Sequence, residues 1–428
     1  MMDSAIQRVR ARQIYDSRGR PTLEVDVELA DGTLGRAAVP AGASTGMHEA
    51  HELRDGDPAA YGGLGVLRAV SNVDQVLGPA IQGLDALDQR GLDTRLRQID
   101  ASPGLQRLGA NAVLGVSMAA CRAAAACSGV ALYRHVAGLA GVDQPLLPLP
   151  MVNILSGGAH ARRGMDVQDF LAMPVGATSL DEALAMAAAV RTAAGTLLAE
   201  QGASLLLADE GGFAPGYALA EQALELMVRA IEAARLRPGV DVGIGLDVAA
   251  TQFVRGDVYE LRREGLALSS DEMVARQLDW LARYPIVSVE DALGEDDWSA
   301  WQHLTREAGA RCQLVGDDLF CTNPERIRRG IDLGAANAVL IKLNQIGTVS
   351  DALAALALAQ SAGYRAIVSA RSGETEDPFI ADLAVGTAAG QIKIGSLANS
   401  ERLSKYNQLL RIEEEVGVEA FSRLELAS

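Results

Sequence analysis

IVSVE, residues 286–290, is a short apolar run that stops on a carboxylate, Glu290. It is too brief for an ordinary helix, and its unbroken apolar character suits a strand buried on both faces of a parallel sheet. The same device recurs around it. VGIGLD ends at Asp247, QLVGD at Asp317 and AVLIK at Lys342, while LLLADE ends at Glu210 and AIVSARS at Arg371 and Ser372. A seventh run, QIKI, carries Lys393 within it. Helical patterns such as Asp351 to Ser361 separate several of these runs, so the strand-helix alternation predicts a parallel sheet of the α/β class. When such a sheet closes into a barrel, side chains at the C-terminal strand ends converge on one mouth. The expectation is a TIM-like (β/α)8 barrel whose mouth gathers all of these charges. Any one of them alone would be read as a solvated strand end or an ion pair. Gathered in one mouth without a function, they would be electrostatically costly.

Outward from the barrel, the first ~140 residues mix strand-like stretches, such as Thr22 to Leu29, with helical ones, such as the Ala-rich segment from Ala110 to Cys127. They predict a small N-terminal α+β domain over residues 1–140, with the barrel over 141–428. The boundary is expected near QPLLPLP, residues 144–150, where prolines resist regular helix. The chain has 428 residues with 49% hydrophobic and 22% charged content, enough apolar material for a large core. No apolar run approaches a membrane span and the start lacks a signal-peptide pattern, so a soluble, cytoplasmic protein is expected, with no membrane partner. Cys121, Cys127, Cys312 and Cys321 show no CxxC pairing and read as buried thiols in a reducing compartment. A net charge of −17 disfavours nucleic acid and requires any bound phosphate to meet a local cluster of cations.

Asp247, Glu290 and Asp317, with no His or Cys among them, make a hard oxygen-donor set that suits Mg²⁺. Lys342, held among charges, is a candidate general base, although taken by itself a structural pairing with Asp317 or Asp318 explains it better. Glu210, followed by two glycines that permit close backbone approach, is the natural acid. A lysine base, a glutamate acid and a divalent ion together suit abstraction of a proton next to a carboxylate.

Long motifs carry a resemblance along nearly the whole chain. YDSRGRPTLEVDV from Tyr15, AVPAGASTG from Ala38, GANAVLGVSMA from Gly109, ADEGGFAP from Ala208, SVEDALGEDDW from Ser288, VGDDLF from Val315, LIKLNQIGT from Leu340, RSGETED from Arg371 and SERLSKYNQLLRIEEE from Ser400 all resemble the enolase family. The resemblance implies a homodimer, possibly a higher oligomer, with an α+β cap on a modified barrel that dehydrates 2-phosphoglycerate to phosphoenolpyruvate. It implies two Mg²⁺ per site, the tighter on Asp247, Glu290 and Asp317, with Asp318 beside them, and the second on Ser44 of the AGASTG loop. Lys342 matches the base for the C2 proton, Glu210 the residue that helps the C3 hydroxyl leave, and His160 a loop histidine that closes over the site. Arg371 and Ser372 match the phosphate grip and Lys393 a contact to the substrate carboxylate. Without the resemblance, His160 in a Gly-rich loop would be read as a solvated surface residue.

Departures from the family pattern gather near the phosphate and the leaving group. Ala370 stands where the family has a histidine, Asp169 where it has a glutamate, and Arg162 and Arg163 where it usually has Asp and Asn. Ala41, Ile394 and Asn399 replace serine, threonine and arginine. An emptied imidazole site and two added guanidinium groups fit a substrate that is bulkier and more anionic at phosphorus. The sequence therefore favours a specialised branch resembling the synthases of carboxyphosphonoenolpyruvate, acting on a phosphonylated hydroxy acid. An ordinary glycolytic enolase ranks second and a non-catalytic binding homologue third.

Overall fold

The computed structural model describes residues 3–42 and 46–424, so the expectation for Ser44 falls outside the described residues. The N-terminal part is an antiparallel meander of β1 (Ile6–Tyr15), β2 (Pro21–Leu29) and β3 (Leu34–Ala38). In β2 the apolar Leu23, Val25, Val27 and Leu29 are buried while Glu24, Asp26 and Glu28 alternate on the other face, the period-two pattern of a one-sided sheet. Helix α1 (Ala110–Cys127) covers that buried face. It lies so close that a Cβ on Gly35 would meet the Ala119 carbonyl oxygen and the Ala123 backbone.

The rest of the chain closes an eight-stranded barrel from β4 (Leu149–Ser156), β5 (Asp169–Met173), β6 (Gly243–Asp247), β7 (Ile286–Glu290), β8 (Gln313–Gly316), β9 (Ala338–Ile341), β10 (Arg365–Ser369) and β11 (Gly390–Gly395). The expectation of an all-parallel sheet needs correction. β5 pairs antiparallel with both β4 and β6. A parallel neighbour requires a return crossover, usually a helix, and residues 157–168 between β4 and β5 supply only a short 3₁₀ turn, so the chain folds straight back.

LLLADE also departs from expectation, because it is not a barrel strand. Leu205, Leu206 and Leu207 are exposed, Leu206 at 76%, and the segment folds back on itself through an isolated bridge from Leu207 to Phe213 and backbone hydrogen bonds such as Ala214 N–H to the Leu206 carbonyl. Glu210 therefore comes from a loop following helix α2 (Leu180–Glu200). The other expected strands form, as do helix α3 (Val349–Ser361) and the final long helix α4 (Ser400–Val416). Cys121, Cys312 and Cys321 are buried and Cys127 is half-buried. Contrary to the sequence reading, α1 and α2 are both long and apolar enough for a membrane span by length and composition; α1 is instead largely buried against the N-terminal sheet.

Candidate active site

Strand register lines up the first carboxylates. Asp169 pairs with Asp247 across β5 and β6, and Asp247 with Glu290 across β6 and β7. Paired positions on neighbouring strands face the same side, so all three side chains enter the barrel together. Lys393, on β11, reaches across to meet them, with Nζ 2.7 Å from Asp247 Oδ2 and 2.7 Å from Glu290 Oε2. Just beyond β8 and β9, Lys342 Nζ lies 2.5 Å from Asp317 Oδ2. Neutral amides complete the arrangement: Gln168 Nε2 donates to Asp247 Oδ2 at 3.0 Å and Gln345 Nε2 to Asp317 Oδ1 at 2.9 Å. The Asp291 carboxylate accepts the backbone N–H groups of Asp317 and Asp318 at 3.0 and 2.8 Å, which fixes the turn that presents them.

Burial decides the electrostatics here. It pushes Glu290 well above the usual carboxylate range, with the Asp247 charge adding to it and Lys393 opposing. Burial by itself would pull Lys393 down, but Asp247 and Glu290 together carry it well above an ordinary lysine. Lys342 follows the same logic, with Asp317 overcoming burial to give a net rise. Burial and the neighbouring Asp317 push Asp318 up to about 7.

The residues fit a hard divalent cation. Glu290 Oε1 is buried with no hydrogen-bond partner, an orphaned anionic oxygen that a cation would satisfy. Asp247 and Glu290 are joined through Lys393, whereas oxygens of Asp317, Asp291 and Asp318 lie within 4.8 Å of one another. Glu290 feels the charges of both Asp247 and Asp317, but among the described residues the groups whose ligand atoms all lie within 4.8 Å of one another are Asp291, Asp317 and Asp318, and His160, Asp169 and Glu210.

On the opposite flank of Asp247 lies a second group. His160 is buried in the turn after Gly158, which takes a left-handed φ of 47°. Its Nδ1 is 2.8 Å from Asp169 Oδ2 and its Nε2 is 3.7 Å from Glu210 Oε1. Asp169 Oδ1 also accepts from Asn153 Nδ2 at 2.6 Å and from Ser156 Oγ at 2.7 Å. Burial alone would lower the His160 pKa, yet the two flanking carboxylates raise it to about 9. Burial raises Glu210, but the His160 and Arg402 charges outweigh it and lower its pKa. The glycines after Glu210 are used as expected: Gly211 has φ 84°, and a Cβ on Gly212 would meet Asn153 Oδ1 and Ser156 Oγ.

Arg371 and Ser372 follow β10 on a loop braced from α4. Arg402 Nη1 donates to the Arg371 carbonyl and Nη2 to the Ser372 carbonyl, both at 2.6 Å. Lys405 pairs with Glu374 at 3.1 Å, and Glu374 Oε1 accepts the Arg371 backbone N–H at 3.0 Å. The Arg371 guanidinium meets Glu49 and Asn344 at the wall of a cavity of about 290 Å³. Arg18 Nη1 donates to Ser372 Oγ at 3.3 Å. Ala370 is buried at the end of β10. Arg162 and Arg163, both in the left-handed region at φ 51° and 62°, are exposed, and neither has a side-chain partner among the described residues. The structure does not bring them to the buried cluster.

Sequence reasoning passed over Asn153, Ser156, Gln345, Asp291 and Glu49. Asn153 had a visible signal, a polar residue inside the apolar strand LPMVNILS, and Asp291 stands next to a proposed ligand. Glu49 had none, because its partner Arg371 lies more than three hundred residues away. A family model described as enolase, C-terminal TIM barrel domain, matches residues 144–423, and one described as enolase, N-terminal domain, matches residues 6–136.

Proposed function

The chain belongs to the enolase family, and on that premise we propose that it eliminates water from a 2-phosphoglycerate-type acid whose phosphorus end is bulkier and carries a phosphonate. What supports this reading is that Glu210, Asp247, Glu290 and Asp317 are buried and that lysines pair with the carboxylates, Lys342 with Asp317 and Lys393 with Asp247 and Glu290. Asp247, Glu290 and Asp317 would hold Mg²⁺, two ions per site being the family's pattern. Bound there, the ion supplies positive charge opposite the negative charge that develops on the substrate carboxylate.

Lys342 takes the C2 proton. Burial would lower its pKa and Asp317, helped by Glu290, holds it up, so once those charges are screened the amine becomes a base. Glu210 helps the C3 hydroxyl depart as water, and His160, held cationic between Asp169 and Glu210, supplies the proton on that side. Arg371 and Ser372 receive the phosphoryl or phosphonyl group, and Lys393 positions the substrate carboxylate. Buried Ala370, in place of an imidazole, leaves room at the phosphorus end for a product resembling carboxyphosphonoenolpyruvate. A homodimer is the proposed assembly, residues 1–140 forming the cap and 141–428 the barrel.

The exposed position of Arg162 and Arg163 favours a second reading, ordinary turnover of 2-phosphoglycerate. A Mg²⁺-dependent assay that follows the absorbance of the enol product decides between them. The expected result is a higher kcat/KM for the carboxyphosphono analogue. Equal or better use of 2-phosphoglycerate overturns that preference, and turnover of neither points to a non-catalytic binding homologue.

A further inference from the structure

The Arg371 guanidinium is already engaged by an anion of the chain itself. Glu49 Oε2 accepts from Nη1 at 3.1 Å and Glu49 Oε1 from Nη2 at 3.3 Å, a two-point carboxylate clamp of the kind arginine offers to phosphate. Both side chains are almost wholly enclosed, 4% exposed for Arg371 and 7% for Glu49, so solvent does little to weaken the pair. The same Glu49 Oε1 accepts the backbone N–H of Gly46 at 3.1 Å and Gln345 Nε2 at 3.3 Å. Gln345 Nε2 in turn donates to Asp317 Oδ1, so hydrogen bonds run from the Arg371 clamp to a proposed metal ligand. A backbone bridge also joins Ala41 to Gly373 on the Arg371 loop.

We propose that Glu49 is a built-in competitor for the anion grip, a specificity-determining residue that a phosphoryl or phosphonyl group must displace from Arg371 before it can bind. A clamp of two Nη donors cannot serve two anions at full strength, so ligand affinity is reduced by the fraction of time that Glu49 holds the guanidinium. Weakly anionic acids fail to displace a buried carboxylate, whereas a doubly charged phosphoryl group succeeds, which makes the pair a filter on ligand charge.

This inference rests on the reading that Arg371 receives the substrate's phosphorus end, and the test separates the two. Inorganic phosphate binding is measured calorimetrically on the full-length protein without metal, at fixed ionic strength, for the native chain, Glu49→Gln and Arg371→Gln. Competition predicts that Glu49→Gln binds phosphate roughly tenfold tighter, because the amide keeps an acceptor for Gly46 but loses the charge that holds Arg371. Glu49→Asp, whose carboxylate falls one methylene short, should also bind more tightly and carries the test if the amide variant fails to fold. A residue that merely braces Arg371 gives the opposite sign, so unchanged or weaker phosphate binding in both Glu49 variants, with binding lost in Arg371→Gln, overturns the proposal. Native-like phosphate binding by Arg371→Gln overturns instead the assignment of Arg371 as the grip.

Discussion

The two ends of the pocket rest on different supports. At the carboxylate end, Asp247 and Glu290 terminate adjacent barrel strands in register, and Lys393 reaches them from within a third strand. At the proposed phosphorus end, Arg371 and Ser372 sit on a loop held by Arg402 and Lys405 from a distant helix and by Glu49 from the N-terminal part; Arg162 and Arg163 stand exposed on the separate loop that carries His160. A strand-borne ligand cannot shift without moving its paired neighbours, whereas a loop-borne one can change alone. Ala370, Arg162 and Arg163, the departures from the enolase pattern thought to bear on phosphorus, all lie outside the barrel strands, Ala370 next to Arg371 and the two arginines exposed on the loop that carries His160. Asp169 is the exception, a shortened carboxylate on a barrel strand, and Asn153, Ser156 and His160 close around it.

If the strand-borne end carries the chemistry, its disruption should have the largest effects. Lys342→Ala is expected to lower turnover by at least about 10³-fold in the enol-product assay, since it removes the base and strands Asp317. Activity within tenfold of native would refute Lys342 as the base. Lys393→Met leaves Asp247 and Glu290 facing each other uncompensated, and urea unfolding in chelator should show a loss of about 3–5 kcal/mol. Mg²⁺ should restore more stability to this variant than it adds to the native protein; an equal increment in both would remove those carboxylates from the metal site.

The His160 group permits a pH test midway between the two ends. Its folded-state pKa of about 9 exceeds the unfolded value near 6.5, so its contribution to stability is complete below about pH 6.5 and is lost as pH rises through about 9. Unfolding free energy should fall across that window by at most about 3 kcal/mol, and His160→Gln should flatten the slope. A slope that persists in the variant would place the titration elsewhere. The smallest effect belongs to the loop-borne end. Ala370→His combined with Arg162→Gly and Arg163→Gly should shift the ratio of kcat/KM values toward 2-phosphoglycerate by about tenfold, roughly 1.4 kcal/mol, without lowering the melting temperature, since glycine adopts the left-handed backbone of both arginine positions freely. An unchanged ratio would mean that these positions do not read the phosphorus end.

Much of this was legible in the residues before any coordinates. Apolar runs that stop on a polar residue announced Asp247, Glu290, Asp317, Lys342, Arg371 and Ser372, because a buried strand must end where solvent or a site begins. The same rule failed for LLLADE, since three consecutive leucines look alike whether they are buried in a sheet or exposed on a loop. It also missed the reversal of β5, which depends on what the connection lacks rather than on the strand's own sequence.

The sequence by itself determined which functional groups are present: hard carboxylates, lysines and an arginine at the ends of apolar runs, each fixed by its own residue type. Only the tertiary structure decided how these charges are shared. Lys393 bridges two carboxylates, Lys342 takes Asp317, His160 lies between two acids and Glu49 holds Arg371. Those pairings join segments far apart in the chain, and their strength comes from burial, a property that no single stretch of sequence possesses.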